Sequence, residues 1–162
     1  MNVSILPPSD CAAKDLAAFE GFVIAGGAVQ STGLTDLIRQ AFQLAFLRTP
    51  VGDLAGIAAL KNPRAGYRTK VFRQAASTII SDAYKFEFGW VFIACPHRGQ
   101  GLSRRITSEL LPYAGNELIY ATTRTDEFAM QHVLDVFGFH REGKPYPSDK
   151  GDHDLILYVR PS

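Results

Sequence analysis

The chain has few of the features that would mark a specialised class of protein. Among its 162 residues it has two cysteines, Cys11 and Cys95, and their spacing matches no metal motif. Its 17 basic residues nearly balance 16 acidic ones, giving a formal net charge of +1, so bulk charge indicates neither a nucleic acid nor a membrane partner. We find no internal repeat, low-complexity tract or linker. These absences favour one globular domain over residues 1–162.

Long apolar runs are absent as well. The first eight residues lack the basic segment and the extended apolar stretch that a secretory signal requires. The longest apolar stretches are far shorter than a membrane span. Hydrophobic residues make up 46% of the chain and charged residues 20%, which is usual for a folded domain. We therefore expect a reduced, cytoplasmic protein with no membrane association.

Apolar runs and turn residues predict a mixed order of strands and helices. Strands are expected at 3–6, 43–49, 54–60, 84–93, 117–122, 139–146 and 154–159, the second and third forming an antiparallel hairpin. Helices are expected after an N-cap at Ser9 or Asp10, after Thr35, near 71–76, from Leu102 onward, and after Thr125 or Asp126. The strongest strand signal is 84–93, which is rich in aromatic residues.

A glycine loop, His97–Ser103, separates that strand from an amphipathic helix. Glycines let successive backbone N–H groups turn toward one point, and the start of a helix adds unpaired donors and partial positive charge. This combination suits a phosphate or pyrophosphate. The loop matches neither the Walker pattern nor the dinucleotide fingerprint, in which Arg104 would stand at the third glycine.

The segment Arg98–Ser103 resembles the acetyl-CoA loop of the GNAT superfamily, [QR]-x-x-G-x-[GA], with Ser103 at the last position. A second segment, Met130–Phe139, resembles the superfamily's late helix ending in Gly-Phe, and Gly143 and Tyr146 follow at about the usual distance. The two segments occur in the family's order and together cover roughly the last half of the chain.

The resemblance implies an α+β fold: a mixed, mostly antiparallel sheet of six or seven strands with about four helices. It further implies transfer of an acetyl group from acetyl-CoA to an amine on a small molecule or protein, with a homodimer as one arrangement. Acetyl-CoA would lie where the sheet splays beside the strand ending at Ile93. The implied cofactor-binding residues are Ile93 and Ala94, which would pair with pantetheine, and Arg98, Gly99, Gln100, Gly101, Leu102 and Ser103, whose amides would hold the pyrophosphate.

Glu87 is the candidate general base. It precedes Ile93 by six residues, so regular alternation along the strand would place both on one side. The alternative is a solvent-facing glutamate on a half-exposed strand. The family's usual tyrosine acid is replaced by Leu134, and a frequent asparagine by Glu127. His132, Tyr146, Tyr158 or water could supply the proton, and loss of catalysis would leave an acyl-CoA-binding module.

Two further features have open interpretations. The basic residues Arg64, Arg68, Lys70 and Arg73 could bind a phosphate, an acidic substrate or nucleic acid, but a solvated face with nearby acids is favoured. The acceptor is expected to enter over Glu87 and segment 64–83. Cys95 is expected to be a buried, inert thiol.

Overall fold

Strands and helices alternate along the chain in a computed structural model, which describes residues 1–27 and 32–161. Across these residues there are seven strands: β1 (Asn2–Leu6), β2 (Gln43–Arg48), β3 (Leu54–Lys61), β4 (Tyr84–Ile93), β5 (Leu118–Arg124), β6 (His140–Pro147) and β7 (Asp154–Arg160). The same residues form five α-helices: α1 (Ala13–Ala25), α2 (Leu34–Arg39), α3 (Ala65–Gln74), α4 (Leu102–Leu110) and α5 (Phe128–Val136).

The strands follow the order β1-β2-β3-β4-β5-β7-β6 in one sheet. Strand β4 runs parallel to β5, whereas the pairs β1–β2, β2–β3, β5–β7 and β6–β7 are antiparallel. The predicted α+β fold with a mixed, mostly antiparallel sheet is therefore confirmed, including the hairpin of β2 and β3. No helix in the described ranges has the length and apolar character needed to cross a membrane.

By compactness the chain divides into two units. The first unit comprises residues 1–61 and 89–115, and the second comprises 62–88 and 116–162. The boundary falls within β4, whose first five residues belong to the second unit. A single domain over the whole chain stays a prediction.

The core of the first unit forms where α1 packs on the hairpin. Phe19 of α1 is fully buried and contacts two aromatic rings edge-on: that of Phe46 on β2, with centroids 5.5 Å apart, and that of Trp90 on β4, at 6.0 Å. Strands β2 and β3 are almost continuously buried, as expected for strands covered on both faces.

The core of the second unit lies between α3 and one face of its strands. Val71, Phe72 and Ala75 of α3 pack on this face. Its buried members from the strands are Tyr84, Tyr120, Tyr146, Leu157 and Val159. The Phe72 ring meets the Tyr120 ring edge-on with centroids 5.4 Å apart. Glu87, which is paired with Tyr120 across β4 and β5, lies beside this core.

The predicted helix caps were wrong, although the helices themselves were found. Ser9 and Asp10 lie in a 3₁₀ turn, so α1 begins only after Ala12. Pro7 accounts for the difference, because its carbonyl accepts from the Asp10 N–H at 2.9 Å and so closes a 3₁₀ turn at the place of the predicted cap. Thr35 lies inside α2, which follows Gly33 at φ 75°. The last helix, α5, follows Glu127, one residue beyond the predicted caps.

Gly143 in β6 is a position that should accept no side chain. Its φ is +71°, and a Cβ built on it would stand 2.0 Å from the Ala75 carbonyl oxygen. This close approach lets the next residue, Lys144, donate its N–H to the same oxygen at 2.8 Å. A bond between α3 and β6 therefore depends on glycine here.

We expect Gly143→Ala to lower the free energy of unfolding by well over the ~1 kcal/mol that positive φ alone costs, because the methyl group must also displace Ala75. Gly21→Ala is the matched control, since Gly21 lies in α1 with nothing within 4 Å of its Cβ position. The control should stabilise by roughly 0.5–1 kcal/mol. Urea denaturation measures both, and equal stabilities for the two variants would contradict the contact.

Candidate functional site

The glycine loop joins β4 to α4 as the sequence predicted. A 3₁₀ turn at Cys95–His97 leads into the loop, and α4 starts at Leu102 with Gly101 as its N-cap. Gly99 and Gly101 have φ of +77° and +71°, conformations that other residues rarely adopt. The apolar face of α4 is buried through Leu102, Ile106 and Leu110, which fixes the direction in which the helix begins.

The backbone N–H groups of residues 99–104 form a run of donors at this helix start. Within the described part of the chain, none of these six groups has a protein acceptor, while the next, Arg105 N–H, donates to the Gly101 carbonyl at 3.1 Å. Open donors at a helix N-terminus favour an anion. The loop therefore fits the pyrophosphate that the sequence led us to expect.

Arg98 is fixed at the rim of this run of donors. Its Nε donates to the Ile93 carbonyl at 2.9 Å, and its guanidinium lies over the Phe92 ring at 5.4 Å. Among the residues that the structure describes, no carboxylate pairs with it. A positive charge held in place without a protein counter-ion adds to the attraction for an anion.

The backbone of Ala94 is less available to pantetheine than the resemblance implied. Its N–H donates to the Ala55 carbonyl at 2.8 Å, and its carbonyl accepts from the His97 N–H at 2.9 Å. Both backbone groups are thus used by the protein, which leaves Ala94 a lining role. At the next residue, Cys95, the expectation of a buried thiol was wrong, because the side chain is exposed and free.

Glu87 is buried, with 4% of its surface exposed, which rules out the alternative of a solvent-facing side chain. The Tyr120 hydroxyl donates to Glu87 Oε2 at 3.3 Å. Glu87 is paired with Tyr120 across the β4–β5 ladder, so the register of two strands places these side chains together. A buried carboxylate needs such partners because burial disfavours its charge.

Regular alternation, which was expected to place Glu87 and Ile93 on one side of β4, does not hold between them. Trp90 lies between them with φ of +52°, a rare conformation for an aromatic residue. This conformation interrupts the period of two, so counting residues along β4 does not assign Glu87 and Ile93 to one side.

The charge of Glu87 influences three tyrosines, and two of them, Tyr67 and Tyr120, were not anticipated from the sequence. The negative charge of Glu87 raises the pKa of Tyr67 more than any other cause, with burial adding to it. Burial is the first cause that raises the pKa of Tyr120, followed by the Glu87 charge. The pKa of Tyr146 is raised by burial and then by Glu87. These phenols therefore stay protonated and able to donate near neutral pH.

Comparisons with known proteins agree on the fold. An acyl-CoA N-acyltransferase from Pseudomonas aeruginosa superposes with a TM-score of 0.72 at 17% identity, covering 98% of both chains. A GNAT-family acetyltransferase from Streptococcus agalactiae gives 0.66 at 17%, covering 99% of this chain and 95% of its own. The Salmonella typhimurium protein yncA, solved with its cofactor acetyl-CoA, gives 0.63 at 18%, covering 98% and 93%. The chain has the GNAT acetyltransferase fold.

Sequence comparison gives less information about the family than the comparison of folds. No family model matches the chain. An uncharacterised protein of Mycobacterium leprae (strain TN) is 32% identical over 76 residues, which is 45% of this chain but 21% of that protein. The chain thus matches only about a fifth of its curated relative.

The GNAT resemblance singled out Leu134 as a departure, and the structure shows that it is fully buried. Of the alternative acids, His132 is exposed, and the Tyr158 hydroxyl accepts from Arg141 Nε at 3.2 Å. The Tyr146 hydroxyl is buried and has no hydrogen-bond partner among the described residues. Among the alternative acids, Tyr146 therefore has a buried hydroxyl whose proton is not already donated to another described residue.

Two of the four basic residues in segment 64–73, Arg68 and Lys70, have acids nearby, as the favoured interpretation held. Lys70 forms a salt bridge with Asp149 at 2.5 Å, and Arg68 lies 3.4 Å from Asp82. Arg68 Nη1 also donates to the Tyr84 carbonyl at 3.2 Å. These contacts tie α3 to the rest of the second unit. On β5, Arg124 forms a similar local ion pair with Asp126.

Proposed function

We propose that the protein is an N-acetyltransferase that transfers the acetyl group of acetyl-CoA to an amine. The observation that carries this proposal is the run of open amides at residues 99–104 on a GNAT fold. Shared fold does not by itself imply shared activity. The open amide donors support the proposal independently of the fold, because they fit the anionic part of acetyl-CoA.

Acetyl-CoA would supply a thioester, whose carbonyl carbon accepts the amine. The amides of Gly99, Gln100, Gly101, Leu102 and Ser103 would hold its pyrophosphate, with Arg98 at the rim. Ile93 and Ala94 would line the path of the pantetheine arm. Leu102 keeps the donors in place because its side chain anchors the first turn of α4 in the core.

Glu87 would act as general base. An acceptor amine is protonated near neutral pH, and it must lose a proton to become nucleophilic. Glu87 would take this proton directly or through water, and the Tyr120 hydroxyl would hold the carboxylate in one orientation. The departing sulfur also needs a proton, although a thiol's ordinary pKa near about 8.5 makes that need modest.

A second candidate is an acyl-CoA-binding module without turnover, and Leu134 is the observation that favours it. This residue fills the position of the usual acid with a buried aliphatic side chain. The two candidates differ in one measurable respect: both bind acetyl-CoA, but only the enzyme releases free CoA in the presence of an amine. Nucleic acid is a poorer candidate ligand because Arg68 and Lys70 already pair with acids.

For the loop, we expect Gly101→Glu to weaken acetyl-CoA binding by about tenfold or more. The variant would add a negative charge beside the pyrophosphate and strain a residue at φ of +71°. Titration calorimetry with acetyl-CoA measures the affinity.

Gly33→Glu is the matched control for this experiment. Gly33 is also a helix N-cap, has φ of +75°, and likewise has open space at its Cβ position. It should retain wild-type affinity for acetyl-CoA. Equal loss in both variants would mean that general strain, and not the loop, governs binding, and no binding by the wild type would overturn the proposal.

For the base, we expect Glu87→Gln to reduce kcat/KM for the acceptor by about 10²–10⁴-fold, with acetyl-CoA affinity unchanged. The deficit should narrow as the pH approaches the pKa of the amine itself, because a free amine needs no base. Rates of CoA release across this pH range test the assignment. A deficit that stays constant with pH would indicate a positioning role, and wild-type rates would remove Glu87 from the mechanism.

A further inference from the structure

Gly56 of β3 lies against the end of β4, just before the glycine loop. Its backbone is not in the left-handed region, so no turn at this point requires glycine. A Cβ built on Gly56 would stand 2.6 Å from the Ile93 Cδ1 and 3.1 Å from the Phe92 carbonyl oxygen. The space that a side chain would fill at Gly56 is therefore already taken by two residues of β4.

The opposite side of this space is closed by the core. Gly56 is paired with Leu47 on β2, which is fully buried, and the Leu47 Cδ2 lies 3.4 Å from the same Cβ position. The preceding residue, Ala55, accepts the Ala94 N–H at 2.8 Å, and this bond holds the end of β4 against β3. A methyl group added at Gly56 would therefore press on β4, because the core side leaves it no room.

Phe92 and Ile93 are also the two residues that hold Arg98. The Arg98 Nε donates to the Ile93 carbonyl at 2.9 Å, and its guanidinium carbon lies 5.4 Å from the centroid of the Phe92 ring. The Phe92 ring in turn meets the Phe22 ring of α1 edge-on, with centroids 5.5 Å apart. Within the first unit, Gly56 and Arg98 are thus joined through the same two residues of β4.

These two residues can pass a displacement on to Arg98. Ile93 is β-branched, so its χ1 is restricted and its Cδ1 can yield only by rotation about χ2 or by movement of the backbone. The Phe92 carbonyl belongs to the backbone and has no such rotation. It would have to give by a few tenths of an ångström, and the next carbonyl along the chain is the one that accepts from Arg98.

We propose that Gly56 is a positioning residue for acetyl-CoA binding, because its missing side chain lets Phe92 and Ile93 lie where the Ile93 carbonyl orients the Arg98 guanidinium at the rim of the open amides. This inference rests on the proposed function, since the anion at those amides is the pyrophosphate of acetyl-CoA. Arg98 contacts the ligand and Gly56 does not. A guanidinium that is already held in place loses less conformational freedom when it binds a phosphate.

The first test uses the protein without ligand. In Gly56→Ala we expect the Arg98 Nε–H to exchange with solvent faster than in the wild type, because its acceptor is displaced. Heteronuclear NMR of the arginine Nε–H groups measures this exchange. Gly21→Ala is the matched control, since it adds the same methyl group to α1, where nothing lies within 4 Å of the Cβ position. Equal Arg98 exchange in Gly56→Ala and the wild type would overturn the positioning role.

The second test measures affinity by calorimetry. The probes are acetyl-CoA and 3′-phospho-ADP, which keeps the pyrophosphate but lacks the pantetheine arm. We expect Gly56→Ala to bind both about threefold to tenfold more weakly than the wild type, and Gly21→Ala to bind both with wild-type affinity. A loss confined to acetyl-CoA would overturn the route through Arg98, and so would a wild type that does not bind 3′-phospho-ADP.

A double variant tests the link through Ile93. Valine lacks the Cδ1 atom that stands nearest to the added methyl group, so Gly56→Ala should weaken binding by a smaller factor in the Ile93→Val background than in the wild type. The wild type, the two single variants and the double variant form a thermodynamic cycle. Melting temperatures of the four proteins show that each is folded at the temperature of the titration. The same factor in both backgrounds would remove Ile93 from the proposal.

The ligand-free measurement separates this inference from the proposed function. Faster Arg98 exchange in Gly56→Ala, with no binding of acetyl-CoA by the wild type, would overturn the transferase function and retain Gly56 as the residue that holds Arg98 in place. Binding of acetyl-CoA that is insensitive to Gly56→Ala would retain the transferase function and overturn the role of Gly56.

Discussion

The burial of the Glu87 carboxylate is the constraint that organises the second unit. An ionised group removed from water is costly unless the protein replaces its hydration. The replacement comes from the parallel pairing of β4 with β5, which sets Tyr120 beside the carboxylate, and from α3, which covers the same face. Gly143 serves the same arrangement, because its missing side chain lets β6 bond to the last turn of α3.

The first unit follows a different principle. Its loop and the first turn of α4 can hold an anion because six backbone N–H groups there, at residues 99–104, have no protein acceptor among the described residues. The apolar face of α4 and the contact of Arg98 with Ile93 hold those donors in place. The two units thus differ in kind: the first has unpaired backbone donors, and the second has a buried carboxylate.

Features that are determined by residues adjacent in the chain were predictable from the sequence. Features that depend on residues far apart in the chain were not. The loop was predictable because adjacent residues and two glycines determine it, and the strands were predictable from local apolar runs. The starts of two helices were predicted wrongly. At α1 a turn closed by the Pro7 carbonyl occupies the predicted cap, and at α2 a glycine, Gly33, stands where a side-chain cap was expected. The surroundings of Glu87 could not be read from the sequence, since strand register sets Tyr120 beside it and helix packing brings Tyr67 within range of its charge. Tyr146 was named, but its burial was not evident.

The position of Trp90 on the central strand has a practical consequence for spectroscopy. Trp90 is the single tryptophan of the chain, and it lies on β4 between the edge of Phe19 and the ammonium of Lys61, which is 4.8 Å from its ring centroid. Its fluorescence therefore comes from one defined position next to the strand end that carries Ile93. A change in emission intensity or wavelength can be assigned to that position without labels or introduced probes, so the protein carries its own optical reporter on the central strand.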